Sequence, residues 1–219
     1  MHYWKLLSIT TICLLLTTSI GRAEDAAPAA PIEPKEKVEL FNGKDTKGWI
    51  SHLKGDAAAD KTWGIKDGLL TCTGKPNGYL RTEKAYANYK LTVEWRFVKA
   101  CNTGVLVHMQ TPEGIWPKCV ECQGMHKVQG DMYFWSGSKC NEKAEKSPKV
   151  AMKAPSAEKE LGEWNTYQVI AAGDTLTVLV NGKEMNKVTG CSPKSGFIGI
   201  QSEGGPIEVK SVVIEPLDK

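Results

Sequence analysis

Residues 102–135 read NTGVLVHMQTPEGIWPKCVECQGMHKVQGDMYFW, and the fold is decided there. Two β-rich runs, TGVLVHMQ and KCVECQG, flank a loop holding Pro112, Gly114, Trp116 and Pro117, and a third run, DMYFW, follows. Runs of this kind bounded by Gly and Pro predict consecutive strands. Side chains alternate along a strand, so Val120 and Cys122 face one way and Glu121 and Gln123 the other. The same parity sets Val105, Val107 and Met109 against Leu106 and His108. The pattern thus gathers a carboxylate, an amide and an imidazole on one sheet face, with aromatic rings nearby. Hydroxyl-binding groups, flat apolar rings and a proton-transferring carboxylate are what a carbohydrate site needs.

Outward from this stretch the chain keeps the same period. KLTVEWRFV (90–98) puts Leu91, Val93, Trp95 and Phe97 on one face and Thr92, Glu94 and Arg96 on the other. WGIKDGLLTCT (63–73) reads as a hairpin over an Asp67-Gly68 turn. TLTVLVNGKEM (175–185) reads as another over Asn181-Gly182, and GFIGIQSE and IEVKSVVIEP follow. Residues 140–163 are polar and lysine-rich, with Pro148 and Pro155, and predict an exposed loop. No helix-period segment of useful length interrupts the series. Short strands with turn signals every ~8–12 residues predict an all-β, two-sheet sandwich with one outer face open to ligand.

The N-terminus has a different composition. Lys5, the apolar run Leu6–Ile20 and Gly21-Arg22-Ala23 predict a secretory signal peptide over 1–23, too short for a membrane span. The chain is therefore expected to be exported, periplasmic or secreted, with no stable membrane anchor after cleavage. Residues 24–36, EDAAPAAPIEPKE, predict a flexible linker, and 37–219 a single domain with ample core. Beyond the signal, 26 basic residues face 25 acidic ones, and no basic patch suggests nucleic acid as a partner. Six cysteines remain there: Cys72, Cys101, Cys119, Cys122, Cys140 and Cys191. An even count in an exported chain predicts disulfides, with ~15 pairings open. Cys119 and Cys122 make a C-x-x-C, but three residues apart on a strand they face opposite sides, which suits neither zinc nor redox chemistry.

The ordered set LFNGKDTKGW (40–49), WGIKDGLL (63–70), VEWRF (93–97), NTGV (102–105), VECQ (120–123), EWNTYQV (163–169), LVNGKEM (179–185) and GFIGIQSEGGPIEVKSVVI (196–214) resembles the 3-keto-disaccharide hydrolase family over 37–216. The resemblance implies a concanavalin A-like lectin/glucanase jelly roll and cleavage of glycosides that carry a ketone at C3. By position it carries over Glu121 and Gln123, the segment Asn102, Thr103 and Gly104, and Gln201. Two positions depart from the family pattern. His126 and a later Asp131 stand where an Asp commonly follows the Gln, and Glu203 stands where a His often follows Gln201.

A C3 ketone acidifies the C2 proton, because the carbanion delocalises as an enolate. Removing that proton lets the C1 oxygen leave, and water can then add. Such a site needs a base over C2, a donor or cation at the C3 oxygen and an acid near the leaving oxygen. Glu121 is the candidate base or acid, and Arg96, His108 and His126 are candidates for the other two tasks. Asn102, Gln123, Gln201 and Glu203 are expected to hold hydroxyls, and Trp116, Tyr133 and Trp135 to stack on the sugar. Each has a structural alternative: Arg96 a cross-strand ion pair, and His108 a satisfied core histidine. No cofactor is assumed, a divalent metal is left open, and His126, Asp131 and Glu121 match no strong metal spacing. The competing class is a non-catalytic, lectin-like carbohydrate-binding module. A two-carboxylate glycosidase fits less well, since Glu121 has no carboxylate at i±2 or i±4.

Overall fold

The computed structural model describes residue 1 and residues 30–111 and 114–217. Apart from Met1, the expected signal peptide lies outside the described residues, as does the first part of the expected linker. Among the described residues fifteen strands follow in chain order. They are β1 (Val38–Glu39), β2 (Trp49–Leu53), β3 (Trp63–Lys66), β4 (Leu69–Cys72) and β5 (Gly78–Thr82). Next come β6 (Tyr89–Phe97), β7 (Gly104–Met109), β8 (Cys119–Gln123), β9 (Met132–Trp135) and β10 (Lys149–Val150). The last are β11 (Asn165–Ala172), β12 (Thr175–Val180), β13 (Lys183–Val188), β14 (Phe197–Ser202) and β15 (Ile207–Glu215). Among the described residues the helical structure is one 3₁₀ turn, Ala59–Lys61.

Two antiparallel sheets form a jelly-roll sandwich, as the strand pattern predicts. One runs β13-β12-β11-β6-β15-β4-β3, with β1 paired to β15; the other runs β10-β9-β8-β7-β14-β5-β2. The core lies between them. Tyr89, Leu91, Val93, Trp95 and Phe97 of β6 meet Val105, Val107, Val120, Cys122, Ile198 and Ile200 of the facing sheet. Burial of such large apolar side chains is the main favourable term in a fold of this kind. Gly124 is needed for close approach: a Cβ there would stand 2.6 Å from the Trp95 ring.

Two expectations are corrected. His108 leaves the face it was assigned to. Leu106 pairs with Gly199 and Met109 with Phe197, so Val107 and His108 together oppose Ile198. This β-bulge, with His108 at φ 53°, flips the alternation. Met109 joins Leu106 on the outer face, and His108 turns inward against Tyr89. Second, the linker does not extend to residue 36 as free chain. The Ile32 N–H donates to the Ala85 carbonyl, the Ala87 N–H donates to the Ile32 carbonyl, and Pro34 is buried. All six described cysteines are free thiols, so the structure shows none of the expected disulfides. A smaller difference is β10, a two-residue strand on β9 within the expected loop 140–163.

Candidate functional site

β8 positions the site because it is buried on both faces. Val120 and Cys122 enter the core, while Glu121 lies opposite Leu106 on β7 and Tyr133 on β9. On the outer face Glu121, Gln123, Asn102, Trp116, Tyr133, Trp135, Gln201, Glu203 and Met125 line an open cavity of about 260 Å³. Glu121 is 2% exposed. One carboxylate oxygen accepts the Trp135 indole N–H at 2.6 Å, and the other accepts the Gln201 amide N–H at 3.1 Å. Glu203 accepts from the Asn102 amide at 2.8 Å and from the Asn77 amide at 3.3 Å. The amide oxygens of Asn102 and Gln201 are left buried without a donor. The floor of the pocket is thus rich in acceptors.

The rings make one wall. Trp135 stacks on Tyr133 at 5.7 Å with 7° between planes, and on Trp116 at 6.3 Å with 24°. Burial pushes the Glu121 carboxyl up to about 7, and the nearby Glu203 charge adds to this, against the lowering effect of its two hydrogen bonds. Burial also raises Glu203, while its Asn102 and Asn77 donors oppose the rise. Desolvation disfavours the charged form, so both carboxyls hold protons to higher pH than exposed ones. The structure supplies across the sheet the second carboxylate that the β8 sequence lacks.

Eight of the eleven residues expected at the site lie in this cavity, and three lie elsewhere. Arg96 is on the outer face of the opposite sheet, ion-paired to Glu208 at 2.6 Å and stacked over Trp164 at 4.6 Å. Its alternation along β6 sends it away from the core and from the cavity together. His108 is fully buried; its Nδ1 donates to the Pro193 carbonyl at 3.0 Å, and burial lowers its pKa to about 4. His126 sits on the loop after β8, with Nδ1 2.7 Å from Glu158, and its ring meets Phe97 edge-on. Sequence reasoning missed Met125 as a wall and Asn77 as a donor to Glu203, since the Asn77-Gly78 pair signals only a turn. Among the described residues no three His, Cys, Asp or Glu side chains gather as a metal site. A larger cavity of about 610 Å³ lies by Ile32, Met109 and Phe197, but among the described residues Glu83 and Lys84 are its only charged lining residues.

The fold and this pocket define a carbohydrate-active, glycosyl hydrolase-like jelly roll. The chain belongs to the 3-keto-alpha-glucoside-1,2-lyase-like domain family, whose model matches residues 36–215. Among curated proteins none matches the sequence significantly. A candidate glycosyl hydrolase from Parabacteroides distasonis ATCC 8503 superposes with a TM-score of 0.64 at 22% identity, over 84% of this chain and 94% of that one. The carbohydrate binding module CBM66 from Bacillus subtilis gives 0.57 at 8% identity, over 77% and 95%. Porphyranase B from Zobellia galactanivorans gives 0.56 at 13% identity, over 83% and 90%. At these identities the likeness is one of fold, and the fold serves both cleavage and binding of carbohydrate.

Proposed function

We propose that this protein cleaves 3-keto-glycosides, with Glu121 as the base that removes the C2 proton. The observation that carries the reading is a buried carboxyl, raised to about 7, set in a polar cavity beside a stacked aromatic wall. A carboxylate of that basicity is a better proton acceptor than an exposed one and is half ionised near neutral pH. Its oxygens are aimed by Trp135 and Gln201, which fixes the base without a cation. As Glu121 takes the proton, the electron pair moves onto the C3 oxygen and the C1–O bond breaks. Glu203, also raised, is suited to give a proton to the departing oxygen. Water adding to the unsaturated product, with the proton returned by Glu121, completes hydrolysis.

With Arg96, His108 and His126 outside the cavity, stabilising the enolate falls to neutral donors. Gln123 fits, because its Oε1 accepts the Met125 N–H and its amide nitrogen has no hydrogen-bond partner among the described residues. Preorganised neutral donors are effective against developing charge.

The second reading is a lectin-like binding module. It is favoured by the hydrogen bonds Glu121 makes to Trp135 and Gln201, which would equally hold an acceptor for sugar hydroxyls. Glu121→Gln separates the two. It keeps the shape and the acceptor for the Trp135 indole, and its new NH2 is accommodated by a flip of the Gln201 amide, whose oxygen has no donor. It removes the base, so turnover of a 3-ketoglucoside should fall at least ~10²-fold with affinity little changed. Near-normal turnover in the variant would overturn the assignment. No turnover by either form, with altered affinity alone, would favour the module.

A further inference from the structure

The six free thiols are not equivalent. Lys139 and Ser192 face each other in an antiparallel bridge and exchange both backbone hydrogen bonds, at 3.0 and 2.9 Å. The next pair along such a ladder, Cys140 and Cys191, therefore occupies a non-hydrogen-bonded position, where Cα atoms stand ~4.5 Å apart and both side chains leave the same face. That spacing falls within the ~4.4–6.8 Å a disulfide spans. Beyond it the Asn141 N–H donates to the Thr189 carbonyl, one residue past the regular register, with Gly190 at φ 62° taking up the shift, so backbone bonds hold the chain on both sides of the pair. Cys72 and Cys101 lie near each other, but none of the other four cysteines faces a cysteine across a strand pair. Cys72 faces Ile207 and Trp63, Cys122 faces Val105 and Met132, Cys119 faces Trp135, and the Cys101 thiol donates to the Pro206 carbonyl.

We infer that Cys140 and Cys191 are a site of disulfide formation that staples the two sheets together. Cys140 follows β9 of one sheet, and Cys191 follows β13 of the other. Cys191 is 1% exposed and Cys140 is partly exposed, which fixes the order of events. The oxidant is a low-molecular-weight disulfide. The Cys140 thiolate attacks it, forming a mixed disulfide and releasing one thiol. Cys191, deprotonated, then attacks the Cys140 sulfur and expels the second thiol. Two protein thiols lose two electrons and two protons, and the oxidant is reduced to two thiols. The link closes a loop of ~50 residues and so removes conformational entropy from the unfolded chain.

The test treats the reduced, folded protein with oxidised glutathione and maps products by mass spectrometry. A loss of two hydrogens located between the Cys140 and Cys191 peptides is expected, with a melting temperature raised by ~5–10 °C. In Cys191→Ala the expected product is a stable glutathione adduct on Cys140, and in Cys140→Ser no link forms. Both variants are compared in the reduced state by their melting, so that a folding defect is seen directly. A link between any other cysteines, or none in folded wild type, overturns the inference. A linked protein that melts where the reduced one does overturns the staple.

Discussion

At the scale of residues, two buried titratable groups pull stability in opposite directions with pH. Glu121 rises from 4.5 to about 7 on folding, so the native state binds its proton more tightly than the unfolded chain. Its contribution is full below pH 4.5 and is lost as pH rises to 7. His108 falls from 6.5 to about 4, so its contribution is full above 6.5 and is lost as pH falls to 4. Each is worth about 3 kcal/mol at ~1.4 kcal/mol per pKa unit, and the two slopes oppose between the unfolded values. Removing one exposes the other. The stability of Glu121→Gln minus that of wild type is expected to rise by about 3 kcal/mol between pH 4 and pH 8, read from urea unfolding at each pH. A difference that stays constant across that range would show that Glu121 is not held protonated by the fold.

At the scale of elements, the strand period made most of the site legible and one bulge hid the rest. Glu121 and Gln123 were placed on one face by simple alternation along β8, and the register of β7, β8 and β9 then delivers Tyr133 beside them. The parity argument failed at His108 because the extra residue opposite Ile198 is a tertiary feature with no turn residue to announce it. Arg96 was beyond reach for another reason: alternation tells which face of its strand a residue takes, not which sheet the strand joins. The pairing of Glu121 with Glu203 is likewise set by β14, some eighty positions away, so no local spacing could reveal it. The linker failed in a similar way, since an Ala/Pro composition does not exclude edge pairing by Ile32. Deleting residues 30–36 removes two backbone hydrogen bonds and the buried Pro34, at a cost of about 2 kcal/mol. Thermal melting should drop by ~4–8 °C, and an unchanged melting temperature would show that the segment does not hold its place on the sheet.

At the scale of the molecule, the sandwich packs two sheets on one core, and its outer faces are where chemistry can differ. The outer face of the sheet that holds β6 carries paired charges such as Arg96–Glu208 and Lys210–Glu94, which are ordinary solvated contacts. The other side carries a cavity with two raised carboxyls and three aromatic rings. A pocket of that make-up suits a neutral, hydroxyl-rich ring, and in the proposed function the raised Glu121 carboxyl takes a C2 proton more acidic than any on an ordinary glycoside. The central claim is therefore one of substrate oxidation state. Purified protein is given a glucoside and the matching 3-ketoglucoside, with and without chelator, and release of the common leaving group is followed. The account predicts release from the 3-keto compound and none above background from the glucoside. Equal release from both, or binding of both with release from neither, would contradict it.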